Sequence, residues 1–310
     1  MIAKKILNWY DNNKRSLPWR VRCSTRKKEY FTLVSEFMLQ QTQVKTVIPY
    51  FNNFLKDIPN FQSLAKVSEA KLLKHWQGLG YYSRAKNLKK SAKMIVGNYS
   101  GRLPNNFEEL KKLPGVGDYT ASAISAIVFN QQIIPLDGNI ERVLKRILNL
   151  KTEEEIKKEN LHKQKKIFGK TSRSSDYAQA LMEIGALLCK PKNPYCDKCP
   201  ITKNCLSFKK KDFKIKKKNK NIIDKFYIAT LYKNDEQLLL IKNDKFKFLK
   251  NLLIFPMKEI TKSDSLLKSS KKLNVKMSNM NMSISIDFSY IKNKPKNGMW
   301  IEKKKLENYM

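Results

Sequence analysis

Four cysteines gathered into one short segment, Cys189, Cys196, Cys199 and Cys205, constrain this chain more than any other feature. Their spacing is C-x6-C-x2-C-x5-C, and Pro191, Pro194 and Pro200 lie in the same stretch. Thiolates brought this close in sequence point to metal ligation rather than disulfides, and four of them suit either a zinc ion or an iron–sulfur cluster. A structural tie on the loop is the simplest role for such a site. Cys23 stands alone and reads as an incidental thiol. With 310 residues the chain can build two domains without needing disulfide staples.

The formal net charge is +36, which in isolation would repel itself and calls for a polyanionic partner, either nucleic acid or an anionic surface. Only 9 of the 63 basic residues are arginine, and Lys, Asn and Ile are all abundant, the pattern that A/T-rich codon usage would also produce. Charge therefore needs motifs to support it. No run of about 18 uncharged apolar residues is present, and the start, MIAKKILNWYDNNKRSLPWR, lacks the apolar core of a signal peptide. The expectation is a soluble cytoplasmic protein.

From Lys4 to about Leu188 apolar residues recur at helical spacing, broken by short Pro, Gly and Asn stretches. Within this half, LPGVG at Leu113 to Gly117 lies between FEELKK and DYTASAISAI, predicting helix, tight turn, helix. Gly115 and Gly117 allow the turn, and amides exposed at the start of the next helix can bind a phosphate. After the last cysteine a Lys-rich segment, 207–223, reads as a linker. Beyond it, FYIATLY and QLLLIK flank the turn-like KNDE, and MSISIDFSYI alternates, so 224–310 is expected to form a small β-containing domain. It lacks the glycine and glutamate pattern of a Nudix hydrolase box, which excludes pyrophosphatase chemistry there and leaves a binding role.

Two carboxylates stand out. Glu36 lies among Leu33, Val34, Phe37, Met38 and Leu39, a setting that desolvates a carboxyl group and holds its proton. Asp137 precedes NIERVLKRI, where it reads locally as a helix N-cap.

SLPWR, LVSEFMLQQTQVKTVIPYF, GLGYYSRAKNL, LPGVGDYTA, PLDGNIERVL and QALMEIGALLC, in this order and followed by the cysteine spacing, resemble the adenine DNA glycosylase family of the endonuclease III superfamily. The resemblance implies a mainly α catalytic region over 1–206, a helix-hairpin-helix glycosylase fold of two lobes. It implies one [4Fe–4S] cluster on Cys189, Cys196, Cys199 and Cys205, with Lys190 and Lys192 presented to DNA phosphate. The 224–310 part resembles the family's small α/β, Nudix-like lesion-recognition domain, with LLIFP matching its Leu-rich, Phe-Pro segment. Its lesion-contacting loop falls on Met277, Ser278 and Asn279, leaving Ser278 to hydrogen-bond the oxidised base without a neighbouring ring or imidazole.

For the chemistry, the resemblance implies that Glu36 protonates the departing adenine and that Asp137 stabilises the cationic sugar, with Asn139 in support. Tyr119 occupies the position at which endonuclease III-type enzymes carry the lysine that attacks the sugar, which implies base removal without efficient strand cleavage. Trp19, Arg20 and Glu183 are implied to line the adenine pocket, and Gln41 and Tyr81 to enter the helix near the lesion as the base is extruded. Arg84, Lys86 and Lys89 are expected on the phosphate backbone. The partner is double-stranded DNA carrying adenine opposite 8-oxoguanine or guanine, in a bacterial cytoplasm alongside the nucleoid, with no membrane partner and a monomer as the simplest state. Two alternatives stay open at this point: a bifunctional pyrimidine-lesion glycosylase, and a non-catalytic iron–sulfur DNA-binding protein.

Overall fold

The structure is a computed structural model describing all residues except 1, 153–154, 156, 214–221, 247, 251, 268–270, 278, 292–297 and 309–310. It divides into two compact units, Met1–Lys216 and Lys217–Met310.

The first unit is helical: α1 Ile2–Asn13, α2 Thr25–Leu39, α3 Val44–Asp57, α4 Phe61–Lys66, α5 Glu69–Trp76, α6 Ser83–Asn98, α7 Phe107–Lys112, α8 Asp118–Ile127, α9 Gly138–Leu148, α10 Lys158–Gln164, α11 Ser174–Glu183 and α12 Leu206–Lys209. Two cores organise it. Helices α2 to α8 enclose Phe37, Phe51, Phe54 and Trp76, all fully buried. A second core joins α1 to α9, α10 and α11 through Ile6, Leu144, Ile147, Leu161 and Leu181. The N-terminal helix therefore returns to the lobe that carries the cysteines. Helix α1 does this by presenting Ala3, Ile6, Leu7 and Tyr10 on one face, each large buried side chain stabilising the packing by about 1.5–3 kcal/mol.

Helix starts follow from local chemistry. The Asn106 side chain accepts from the amides of Glu108 and Glu109 to start α7, and that of Asp137 accepts from Ile140 N to start α9. The turn between α7 and α8 requires glycine at position 115: its φ is +83°, and a Cβ there would lie 2.8 Å from the Phe37 ring and 2.9 Å from Asn87 Cβ. The expected linker begins inside the helical unit. Ser207 is buried on α12, its hydroxyl donating to Asn149 Oδ1 at 3.0 Å, because the chain leaving Cys205 turns back against α9. Residues 214–221 of that segment lie outside the described residues.

The second unit is a mixed sheet in the order β3-β2-β1-β6-β5, built from β1 Ile223–Asn234, β2 Gln237–Lys242, β3 Leu253–Ile254, β4 Met257–Ile260, β5 Lys272–Met277, β6 Met280–Tyr290 and β7 Met299–Glu302, with β4 also on β1 and β7 on β2. The tight turn at Asp235–Glu236 makes β1 and β2 an antiparallel hairpin. Strands β1 and β6 pair in parallel from Ile223 opposite Met280 to Lys233 opposite Tyr290, a pairing that needs a long crossover; helix α13 (Lys262–Leu267) lies on that connection and packs on β1. Among the described residues no helix is long and apolar enough to cross a membrane.

Candidate active site and cysteine loop

The C-terminal half of α2 is apolar on nearly every side, with Leu33, Val34, Phe37 and Met38 fully buried, so Glu36 has little access to water. It opens onto a cleft of about 960 Å³ whose lining also includes Trp19, Arg20, Gln41, Tyr119, Asp137 and Asn139. Burial pushes the Glu36 carboxyl up to about 7; the nearby Asp137 charge adds to that, while the neighbouring Tyr119 hydroxyl and Arg20 oppose it. Burial also raises Asp137, but there the Ile140 amide (2.6 Å), the Asn139 side-chain amide (2.9 Å) and the Arg142 charge pull the other way. Asp137 is thus both a helix cap and a cleft residue. Tyr119 is pushed well above the usual phenol range by burial and by the two carboxyls, so it stays a neutral donor.

Asn139 is positioned from behind. Arg142 Nη2 donates to Asn139 Oδ1 at 2.8 Å and to Gly185 O at 2.6 Å, while its Nε donates to Cys189 O at 2.6 Å. A Cβ on Gly185 would lie 2.5 Å from Asn139 Cβ and 3.0 Å from the Asn139 backbone, so only glycine lets the turn after α11 approach α9 this closely. The path from the Asp137 carboxylate through Asn139 and Arg142 therefore ends on the backbone of the first cysteine.

Glu183, expected to line the pocket, lies fully buried behind it. Arg15 grips it bidentately, Nε to Oε2 and Nη2 to Oε1 both at 2.8 Å, and Arg20 Nη1 adds a contact at 2.7 Å. Burial alone would raise its pKa, but the two arginines outweigh it and hold the carboxyl below the usual range. Arg15 and Gln40 line the cleft and were missed by the sequence reading. The signal for Arg15 was available: it stands four residues before the Trp19 of SLPWR.

All four clustered cysteines line one apolar cavity with Val143, Ile147, Leu188 and Phe213. Arg146 ties this loop down, donating to Lys190 O at 2.6 Å, Pro191 O at 2.9 Å and Cys189 Sγ at 3.4 Å. Burial pushes the Cys199 thiol up to about 11. Among the described residues no three His, Cys, Asp or Glu side chains are set to hold a single metal ion. Lys192 is exposed, whereas Lys190 lies 4.6 Å from the centre of the Tyr195 ring.

The remaining expectations divide. Gly115 and Gly117 form the hairpin turn, with Gly117 capping α8 and Gln40 Nε2 reaching Gly115 O at 3.3 Å. Tyr81 is 47% exposed but does not line the cleft. Arg84 is not a surface cation: it is only 6% exposed and its guanidinium is spent on backbone carbonyls, because it shares the inward face of α6 with Leu88 and Ala92. Lys86 pairs with Glu69 at 2.6 Å, and Lys89 is half-buried. Ser278 lies outside the described residues; Met277 ends β5 beside it, and Asn279 accepts from the Ile223 amide at 2.9 Å.

A two-lobed helical unit with a Gly-rich hairpin on one lobe and a four-cysteine loop on the other defines a class of base-excision repair proteins, and residues 34–166 match the family described as HhH-GPD superfamily base excision DNA repair protein. Among solved structures, a thermostable thymine-DNA glycosylase superposes with a TM-score of 0.59 at 26% identity, covering 67% of this chain and 95% of that one. An endonuclease III bound non-covalently to DNA shares the fold, with a TM-score of 0.56 at 21% identity over 67% of this chain and 94% of that one. The adenine DNA glycosylase of Buchnera aphidicola subsp. Schizaphis graminum is 38% identical over 263 residues, 83% of this chain and 74% of its own. The human adenine DNA glycosylase is 40% identical over 207 residues, 64% of this chain and 38% of its own. The chain belongs to the adenine DNA glycosylase family.

Proposed function

We propose that the chain excises adenine paired with 8-oxoguanine or guanine, hydrolysing the N-glycosidic bond of an extruded nucleotide in base excision repair. The observation that carries this reading is the pair of carboxyls in one cleft. Glu36 keeps its proton to about pH 7 and can deliver it to the departing base. Asp137, bound by the Ile140 and Asn139 amides, is the carboxylate that faces the cationic sugar as the bond breaks. Water then completes the hydrolysis. Tyr119, a neutral phenol beside Glu36 in the cleft, offers no amine for a Schiff base, so the sugar is released as an abasic site with the strand intact.

Arg20 and Trp19 form one wall for the adenine, with Arg20 fixed by Glu183. Gln41 and Tyr81 fill the space the base leaves. The hairpin at Gly115 and the basic loop bearing Lys192 take phosphates of double-stranded DNA, with the protein acting as a monomer in the bacterial cytoplasm. The 224–310 part, through the region of Ser278, reads the base opposite the adenine.

Cys189, Cys196, Cys199 and Cys205 fit a [4Fe–4S] cluster. All four line one apolar cavity, and four cysteine thiolates are the ligand set such a cluster takes. When bound, the cluster would tie the loop that Arg142 and Arg146 connect to α9.

The test is a single-turnover assay on duplexes with adenine opposite 8-oxoguanine, guanine or thymine, developed with and without alkali. Alkali-dependent cleavage at adenine opposite 8-oxoguanine and guanine, with little opposite thymine, is expected. Absence of cleavage at every adenine by cluster-loaded protein would overturn the assignment.

A further inference from the structure

Arg84 lies on the first turn of α6, 6% exposed, with a cation that hydrogen-bonds no carboxylate among the described residues. Burying a charge without an anion is costly, so its contacts must do something a neutral side chain could not. The fork divides its work between two segments. Nη1 reaches Phe37 O (3.1 Å), Met38 O (2.9 Å), Gln40 O (2.6 Å) and Thr42 Oγ1 (3.2 Å) at the C-terminal end of α2, where the helix dipole favours a cation. Nη2 reaches Leu79 O (2.7 Å) and Gly80 O (3.0 Å). Its guanidinium carbon lies 5.5 Å from the Trp76 ring centre and 5.8 Å from that of Tyr81.

The residues so gripped flank Gln41 and Tyr81. Both have left-handed backbones, φ +61° and +48°, a conformation that costs a non-glycine residue free energy and persists only where the surroundings impose it. We propose that Arg84 is a positioning residue for base extrusion: one guanidinium clamps the Gln41 and Tyr81 loops into a single preset wedge, so that both enter the duplex together. This rests on the reading of Gln41 and Tyr81 as the residues that enter the helix. Lysine cannot substitute, because an ammonium radiates its donors from one point and has no fork to span two segments.

The experiment compares single-turnover base release from two duplexes, one with adenine opposite 8-oxoguanine and one with adenine opposite an abasic-site analogue, where no partner base resists extrusion. A 2-aminopurine beside the adenine reports unstacking. Arg84→Lys is expected to slow unstacking and release about ten- to a hundredfold on the first duplex, the loss expected when strain held at two positions is released, and to change the second little. Equal slowing on both duplexes, or none on the first, overturns the proposal. Gln41→Ala and Tyr81→Ala are measured alongside. If they show the duplex-selective loss and Arg84→Lys does not, the clamp alone is wrong; if they too slow both duplexes equally, the wedge reading falls. Should Arg84→Lys fail to fold, Thr42→Val removes one acceptor and keeps the charge. It must show a smaller loss of the same selectivity, and an equal loss on both duplexes or no loss refutes the clamp.

Discussion

Replacing Glu36 with glutamine should make the protein inactive and, above neutral pH, more stable. In the folded chain burial holds the Glu36 proton to about pH 7, against an ordinary value of 4.5. Below pH 4.5 both folded and unfolded chains are protonated there and the group costs nothing. Between 4.5 and 7 the folded chain binds the extra proton, so stability falls as pH rises, and above 7 the full penalty of a buried carboxylate is present. At 1.36 kcal/mol per pKa unit the penalty is about 1 kcal/mol at pH 5 and about 3 kcal/mol at pH 8. Glu36→Gln removes the titration and keeps the shape. Its melting temperature, followed by circular dichroism without DNA, should exceed that of the wild type by about 4–8 °C more at pH 8 than at pH 5, for a unit of this size. The same titration sets the alkaline limb of the rate: kcat/KM of the wild type should fall about tenfold per pH unit above about pH 7, while at low pH it falls as Asp137, whose carboxyl burial raises, takes up its proton. An equal melting difference at both pH values, or a wild type more stable than the variant at pH 8, would refute the argument that desolvation holds this proton.

Asp137→Asn keeps an N-cap and so should leave the melting temperature nearly unchanged, while single-turnover release falls by about 10²–10³-fold; Asp137→Ala should add about 1 kcal/mol of destabilisation to the same loss. Gly185→Ala places a methyl against Asn139 and should destabilise the helical unit by about 1–3 kcal/mol in urea, with a loss of rate larger than its loss of DNA binding. Glu183→Gln leaves Arg15 and Arg20 without their shared carboxylate and should cost about 3 kcal/mol in urea, with adenine discrimination lost in the same variant. On the proposed cluster assignment, purified protein should show a brown iron–sulfur absorbance that Cys199→Ser abolishes, with the Cys189–Cys205 loop becoming open to protease.

What could be read from the sequence was chemistry set by neighbours along the chain. Asp137 caps the helix it precedes, Gly115 makes the turn its own motif demands, and the β1–β2 hairpin follows from a turn between two apolar runs. What could not be read depends on partners far apart. Arg15 meets Glu183 across 168 positions, and β1 meets β6 in parallel 57 residues later, a pairing no local pattern announces. Arg84 was misread although its signal was local: SRAKNLKK looks basic and exposed, yet Arg84, Leu88, Ala92 and Ile95 recur on one face of α6 and all are buried.

The arginines carry a more general signal. The composition of this chain favours lysine, and none of its 9 arginines lies beyond Arg173. Arg22 and Arg26 are exposed. Each of the other seven holds a group that calls for a planar fork or shares one with another arginine. Arg15 and Arg20 share the buried Glu183, Arg102 takes Glu29, and Arg173 spans Asp11 and Asp176. Arg84, Arg142 and Arg146 gather backbone carbonyls, and these three join the Gln41 and Tyr81 loops, α9 and the cysteine loop. The small β unit, which has no arginine, has no such clamp. On the proposed reading, lysine supplies the general field that draws in DNA, whereas Arg15, Arg20, Arg84, Arg142 and Arg146 fix the groups around the cleft and its loops.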